Sequence, residues 1–369
     1  MNPARLTTDD LPPPALLLDL DLFERNLRTL ADHCRQSGCG FRPHAKTHKC
    51  PEIAKRQRAA GALGISVATV AEAEAMVGAG LPGVLLTSPI VEPSKIARIV
   101  QLIKHGGDVM LAVGHARAAD RLADAAAAQG VTVAVLLDVD VGDRRTGVLP
   151  GEPALELARH IARKPALRLR GLQAYAGHAS HVVGFEARQK TSREAMAKAV
   201  ATRELLAKAG FDMAILSGGS TGTYTIDSAI AGVTEVQAGS YVFMDLDYRR
   251  IGGRGGADAY TDFAFSLTVL ATVVSATHPD RVTVDAGIKA LATDVPYTPE
   301  VKGRPGLVYN RGGDEFGILT AAGDAELPWL GERVEFYVPH CDPTVNLYSR
   351  LHAVRGGVVE AVWPIAARH

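Results

Sequence analysis

The sequence predicts an α/β fold: a (β/α)8 barrel of the TIM type followed by a C-terminal antiparallel β-domain. Three observations carry this. From Phe41 to Asp245 short apolar runs alternate with Ala-rich amphipathic stretches, with Gly, Pro or Asp at the joints, and such alternation builds parallel sheets from right-handed βαβ units. The apolar runs number eight before Asp245, the strand count of the barrel. The early GxGxxG turn of a doubly wound open sheet is missing.

In chain order the barrel strands are expected in FRPHAK (41–46), LGISVAT (63–69), GVLLTSP (83–89), DVMLAVG (108–114), VTVAVLLDVDV (131–141), LRLRGLQAYAG (167–177), MAILSGGS (213–220) and TEVQAGSYVFMD (234–245). Helices are expected between them, among others over 71–80, 94–107, 116–130 and 193–210, where apolar residues recur at helical spacing. A Gly/Arg-rich connector, YRRIGGRGGADAY (248–260), ends this part. The runs FAFSLTVLATVVSA, RVTVDAGIKAL, RVEFYVPHCD and YSRLHAVRGGVVEAVWPI then read as β-strands. The expected division is a barrel over 20–250 and a β-domain built from 251–369 with 1–19, because the run PALLLDLD precedes the first barrel helix.

Composition narrows the function. Lys plus Arg equals Asp plus Glu at 40 each, so no global charge favours nucleic acid or an acidic membrane. Four scattered cysteines without a CxxC pair argue against a disulfide scaffold or a structural zinc module and fit a reducing cytoplasm. The start MNPARLTTDDLPPP has no apolar segment behind a basic one, and no run approaches a membrane span in length. A cytoplasmic protein acting on a small molecule is expected.

Chemistry in such a barrel sits where strands end. The stretch FRPHAKTHKCP holds two histidines and two lysines within six residues. A solvated basic loop, a metal site and a lysine beside a cofactor all compete for it. The zinc-protease pattern needs a glutamate that HAKTH lacks. Read as a strand, it turns Arg42, His44 and Lys46 to one face, and three basic groups in a confined mouth depress a lysine's pKa, as Schiff-base chemistry requires. Opposite, Ser217–Thr223 offers glycines and hydroxyls whose N–H groups can wrap a phosphate, though alone such a turn is usually only a turn. Lysine, phosphate cradle and inward arginine together point to pyridoxal 5′-phosphate. In VPHCDPTVNLY, His340 and Asp342 lie two apart on an expected strand end, sharing a face while Cys341 points away. Imidazole plus carboxylate with open positions suits a divalent metal, although an isolated HxD pair is usually incidental.

These segments, RPHAKTHKCPEIA, VDVGDRRTGV, GLQAYAGHASH, SGGSTGTY, TEVQAGSYVFMD, VDAGIKA and PHCDPTVNLY, resemble the alanine-racemase-like (fold-type III) pyridoxal-phosphate enzymes. Within them they are similar to the D-threonine aldolase/D-serine dehydratase branch, in the same order and over nearly the whole chain. The resemblance implies that Lys46 carries the cofactor, that Arg145 lies near its phenolic oxygen, and that Tyr175 stands beside them. It assigns the phosphate to Ser217, Gly218, Gly219, Ser220, Thr221 and Gly222 with Gly239 and Ser240, counts Tyr241 among the cofactor-binding residues, and puts Gln237 where racemases place an arginine against the pyridine nitrogen. His181 matches a histidine facing the substrate's β-hydroxyl; His178 has no such match. His340 and Asp342 become the metal pair, for Mn²⁺ or Mg²⁺ with Zn²⁺ or Co²⁺ as alternatives. Aspartate rather than cysteine at 342 sides with the aldolases. Phe316 departs from the family's common DEHG pattern, standing where relatives commonly carry a histidine. The implied activity is retro-aldol cleavage of a β-hydroxy-D-amino acid to glycine and an aldehyde, by a homodimer. The rival is a D-serine or 3-hydroxy-D-aspartate dehydratase or aldolase. A racemase leaves the metal pair idle, and single-barrel pyridoxal-phosphate-binding proteins lack a β-domain.

Overall fold

Hydrogen-bonded pairing begins before the barrel does. In the computed structural model, which describes residues 6–368, the apolar run Ala15–Asp19 forms β1, and Asp19 then caps the helix Leu20–Ser37 by accepting from the Leu22 N–H at 3.0 Å. The helix ends at Gly38, whose φ of 69° suits glycine. Residues 1–5 and 369 of the expected β-domain lie outside the described residues.

The barrel strands are β2 (Gly40–Phe41), β3 (Ile65–Val67), β4 (Val84–Leu86), β5 (Val109–Val113), β6 (Val133–Asp138), β7 (Leu167–Ala174), β8 (Ile215–Gly218) and β9 (Glu235–Val236). They pair in parallel in the order β2-β9-β8-β7-β6-β5-β4-β3, and a parallel bridge from His44 to Ser66 joins the two ends of that order. Helices with apolar inner faces, such as Pro93–Lys104, Ala116–Ala128 and Glu152–Ala162, cover the outside. The helix expected over 193–210 starts earlier, at Phe185. Its first turns bury the polar residues Arg188 and Ser192, which hide the apolar period that marks a helix face.

The second sheet contains β10 (Leu267–His278), β11 (Arg281–Val284), β12 (Glu300–Val301), β13 (Leu307–Arg311), β14 (Gly317–Ala321), β15 (Arg333–Tyr337), β16 (Arg350–Arg355) and β17 (Val358–Pro364). Its order is β11-β14-β13-β12-β15-β10-β1-β16-β17, and β10 also pairs with β11. The long strand β10 thus closes β10 to β15 into a small barrel of its own. Every pairing is antiparallel except β1 with β16. The N-terminal strand therefore belongs to the C-terminal sheet, and one apolar cluster runs from Leu16 through both parts to Ala367.

Candidate active site

A cavity of about 380 Å³ opens at the C-terminal ends of the barrel strands. It brings together Lys46, Arg145, Tyr175, Ser220, Thr221, Gln237, Gly239 and Ser240 from five separate segments of the sequence. Ser217 is buried beneath them, and its Oγ accepts from Gln237 Nε2 at 2.8 Å. Gly218 gives its carbonyl to the Gln237 N–H at 2.7 Å. Gly219, at φ 76°, packs against the Asp227 carboxylate, and a Cβ at Gly222 would meet the Ser180 carbonyl at 2.3 Å.

The first strand differs from expectation. Ladder pairing covers Gly40–Phe41 and persists beyond Pro43 as a bridge from His44 to Ser66, after which Ala45–Thr47 turns as a 3-10 helix. Of the expected row Arg42, His44 and Lys46, only His44 and Lys46 reach the cavity. Arg42 is buried in a two-pronged ion pair with Glu235 at 2.8 and 2.9 Å. His44 is buried and meets Thr87 Oγ1 at 3.0 Å; burial, with Lys46 adding to it, lowers its pKa to about 3. The Lys46 ammonium pairs with Asp342. The depressed lysine is thereby corrected: Asp342 outweighs burial and raises the Lys46 pKa.

The HxD pair is also placed differently. His340 is the N-cap residue of the helix Cys341–Asn346, so Asp342 lies in a first helical turn and not on a strand. Cys341 is buried. Burial pushes the Asp342 pKa up, but Lys46 and His340 outweigh it and hold the carboxyl well below its usual range. Burial likewise opposes charge on His340, yet Asp342, Asp245 and Asp294 raise its pKa. His340 Nδ1 lies 2.6 Å from Asp294 Oδ2.

His181 stands at the edge. It does not line the cavity, but its ring packs on Tyr248, which does, with centroids 4.4 Å apart. Tyr241 is not a cavity residue: its ring is buried 5.5 Å from Phe263 and its hydroxyl accepts from Gln57 Nε2 at 3.2 Å. His178 sits over the Asp143 carboxylate at 3.4 Å, and Phe316 is exposed. The sequence reading missed Thr47, Thr87, Asp138, Gln173 and Tyr248 in the lining. Thr87, Asp138 and Gln173 stand at or near strand ends, the position that could have found them.

The residues suit an anionic, carbonyl-bearing cofactor. The N–H groups of Thr221, Gly222, Gly239 and Ser240 make no hydrogen bond among the described residues, which leaves a nest for a phosphate. Gly239 lies so close to the turn that a Cβ would come within 2.8 Å of Thr47 Oγ1. Thr223 Oγ1 braces the loop, accepting from the Ser220 N–H at 3.0 Å and donating to buried Asp227 at 2.5 Å. No three His, Cys, Asp or Glu side chains converge as ligands among the described residues, so a cation held by His340 and Asp342 would take its remaining positions from water and substrate.

A family model for the alanine racemase N-terminal domain matches residues 18–247, and one for a putative serine dehydratase domain matches 266–354. The chain is 39% identical over 355 residues to D-threonine aldolase of an Arthrobacter species, covering 96% of this chain and 92% of that one. It is 35% identical over 361 residues to 3-hydroxy-D-aspartate aldolase of Paracoccus denitrificans, covering 97% and 92%. It is also 34% identical to D-threo-3-hydroxyaspartate dehydratase of a Delftia species over 88% of this chain and 87% of the relative. The crystal structure of D-threonine aldolase from Filomicrobium marinum superposes with a TM-score of 0.94 at 39% identity, covering 99% of both chains. Barrel, added β-domain and lysine-bearing cavity agree with these matches, and the chain belongs to the alanine racemase N-terminal domain family, in the D-threonine aldolase branch that carries the serine dehydratase domain.

Proposed function

We propose that this chain is a metal-dependent pyridoxal 5′-phosphate lyase that cleaves β-hydroxy-D-amino acids, D-threonine-like, to glycine and an aldehyde. One observation carries the reading: the Lys46 amine and the Asp342 carboxylate, 296 residues apart in sequence, meet beside one cavity. Lys46 would hold the cofactor's carbonyl carbon, the turn 217–222 with Gly239 and Ser240 its phosphate, Arg145 its phenolic oxygen and Gln237 its ring nitrogen. His340 and Asp342 would hold the cation, Mn²⁺ or Mg²⁺ by the hardness of these ligands, with Zn²⁺ or Co²⁺ as alternatives. When bound, the cofactor supplies an electron sink for the carbanion at Cα and the cation supplies Lewis acidity toward the β-hydroxyl.

The chain's own residues do the rest. Tyr175, beneath the Arg145 guanidinium at 5.4 Å, keeps that cation over the cavity. Gln237 is an amide already engaged with Ser217, so it brings no positive charge to a ring nitrogen; the weaker sink that follows makes activation of the β-hydroxyl necessary. His181 takes the β-hydroxyl proton. A cytoplasmic homodimer belongs to the same proposal.

The test is to assay D-threonine, D-phenylserine, D-3-hydroxyaspartate and D-serine with and without added metal. Glycine and aldehyde are expected, with turnover lost in a strong chelator while the cofactor's visible absorption band persists. Full activity in the chelator would remove the metal from the proposal. Ammonia and a keto acid would point to the dehydratase reading, which the Delftia relative favours. Lys46→Ala is expected to abolish the band.

A further inference from the structure

We propose that Asp247 is the positioning residue of His181, fixing the imidazole with its proton on Nδ1 and its lone pair on Nε2. The proposal rests on the reading of His181 as the base.

His181 Nδ1 lies 2.9 Å from Asp247 Oδ2. An ionised carboxylate only accepts, so the ring nitrogen facing it must carry hydrogen, and in the neutral ring the other nitrogen then has the lone pair. The second carboxylate oxygen accepts from the Tyr297 hydroxyl, which stops the group from turning away. Asp247 stays ionised: half-burial pushes its pKa up, but His181, then His340 and Arg250, bring it below the ordinary value. Tyr248 supports the ring from below, at an interplanar angle of 39°.

The backbone fixes this arrangement relative to the cavity. Asp247 lies in the single turn Leu246–Arg249, and its N–H donates to the Pro339 carbonyl at 3.1 Å. Asp245, immediately before that turn, accepts from the Tyr248 N–H through one oxygen and from the Cys341 N–H through the other, both at 2.9 Å. Orienting carboxylate and HxD segment thus share one frame. When a substrate hydroxyl loses its proton, the proton goes to Nε2, the imidazolium forms against Asp247, and the carboxylate itself remains unprotonated.

The experiment has two arms. In protein labelled with ¹⁵N-histidine, the His181 ring signals, assigned by their loss in His181→Gln, should show the Nδ1–H tautomer. In Asp247→Asn, whose amide can also donate, that preference should disappear. A dominant Nε2–H tautomer in the unaltered protein overturns the proposal whatever the activity. In the holoenzyme, Asp247→Asn should lower kcat for D-threonine cleavage roughly 100-fold with KM nearly unchanged, and it should add no loss in a His181→Gln background. Unchanged kcat, or losses that multiply in the double variant, overturns it. Full kcat in His181→Gln would instead bring down the base assignment, and with it the proposal.

Discussion

A carboxylate with no solvent exposure can be held by backbone alone, and Asp245 is such a case. Its two oxygens accept from the first free N–H groups of two short helices, Leu246–Arg249 and Cys341–Asn346. Burial raises its pKa, while His340 and the two N–H groups oppose that rise. Asp245→Ala would leave two buried donors bare, at a cost of about 2–4 kcal/mol. Urea unfolding checks the loss, and Asp245→Asn, which keeps one acceptor, should recover part of it. The same contact explains a misplaced site residue. His340 and Asp342 are recognisable in the sequence as a pair, but their backbone is not, because the group that starts their helix lies 96 residues earlier. Lys46 is legible as a reactive lysine for its neighbours' composition. Its charge state is not, since Asp342 arrives from 296 residues away.

At the scale of elements, the helix Phe185–Lys208 does more than cover the barrel. Arg188 is fully buried with no carboxylate partner among the described residues, and its guanidinium donates to the Gly222, Val182, Ile251 and Gly252 carbonyls at 2.7–2.9 Å. One side chain therefore ties the glycine-rich turn after β8, the segment after His181 and the glycine connector to a single helix. Arg188→Met fills the volume but strips four acceptors of their donor, and each bare buried group costs about 1–3 kcal/mol. A loss of at least about 3 kcal/mol in denaturant unfolding is expected, together with faster loss of cofactor on dialysis. Arg188→Lys, with three donors in place of five, should fall between. Equal stability of the methionine variant would mean that water satisfies those carbonyls. The barrel's strand count was readable because period-2 and period-3.6 patterns persist along the chain. This helix's first turns were not, because the residues that anchor it are polar and face inward.

At the scale of the molecule, β1 ties the two parts into one folding unit: it pairs with β10 and β16 of the C-terminal sheet and runs directly into the first barrel helix. A protonation event at the barrel mouth is therefore felt by the whole structure. His44 and His48 are both buried, and burial lowers their pKa values from the ordinary 6.5 to about 3 and about 4. Between about 4 and 6.5 the unfolded chain binds two protons that the native chain refuses, so stability falls as pH falls through that window. Asp227 works the other way. Burial raises it from 3.8 to about 6, so below about 6 the native chain binds a proton that the unfolded chain still lacks, and acidification favours the fold there. Over the window each histidine removes roughly 2–3 kcal/mol and Asp227 returns roughly 2–3 kcal/mol. The histidines win by number, and a net loss of about 2–4 kcal/mol from pH 6.5 to 4 is expected in urea unfolding. His48→Gln, which keeps a polar group near Gln57 while removing the titration, should make that decline shallower. A flat profile in the unaltered protein would mean that both rings already accept protons in the native state.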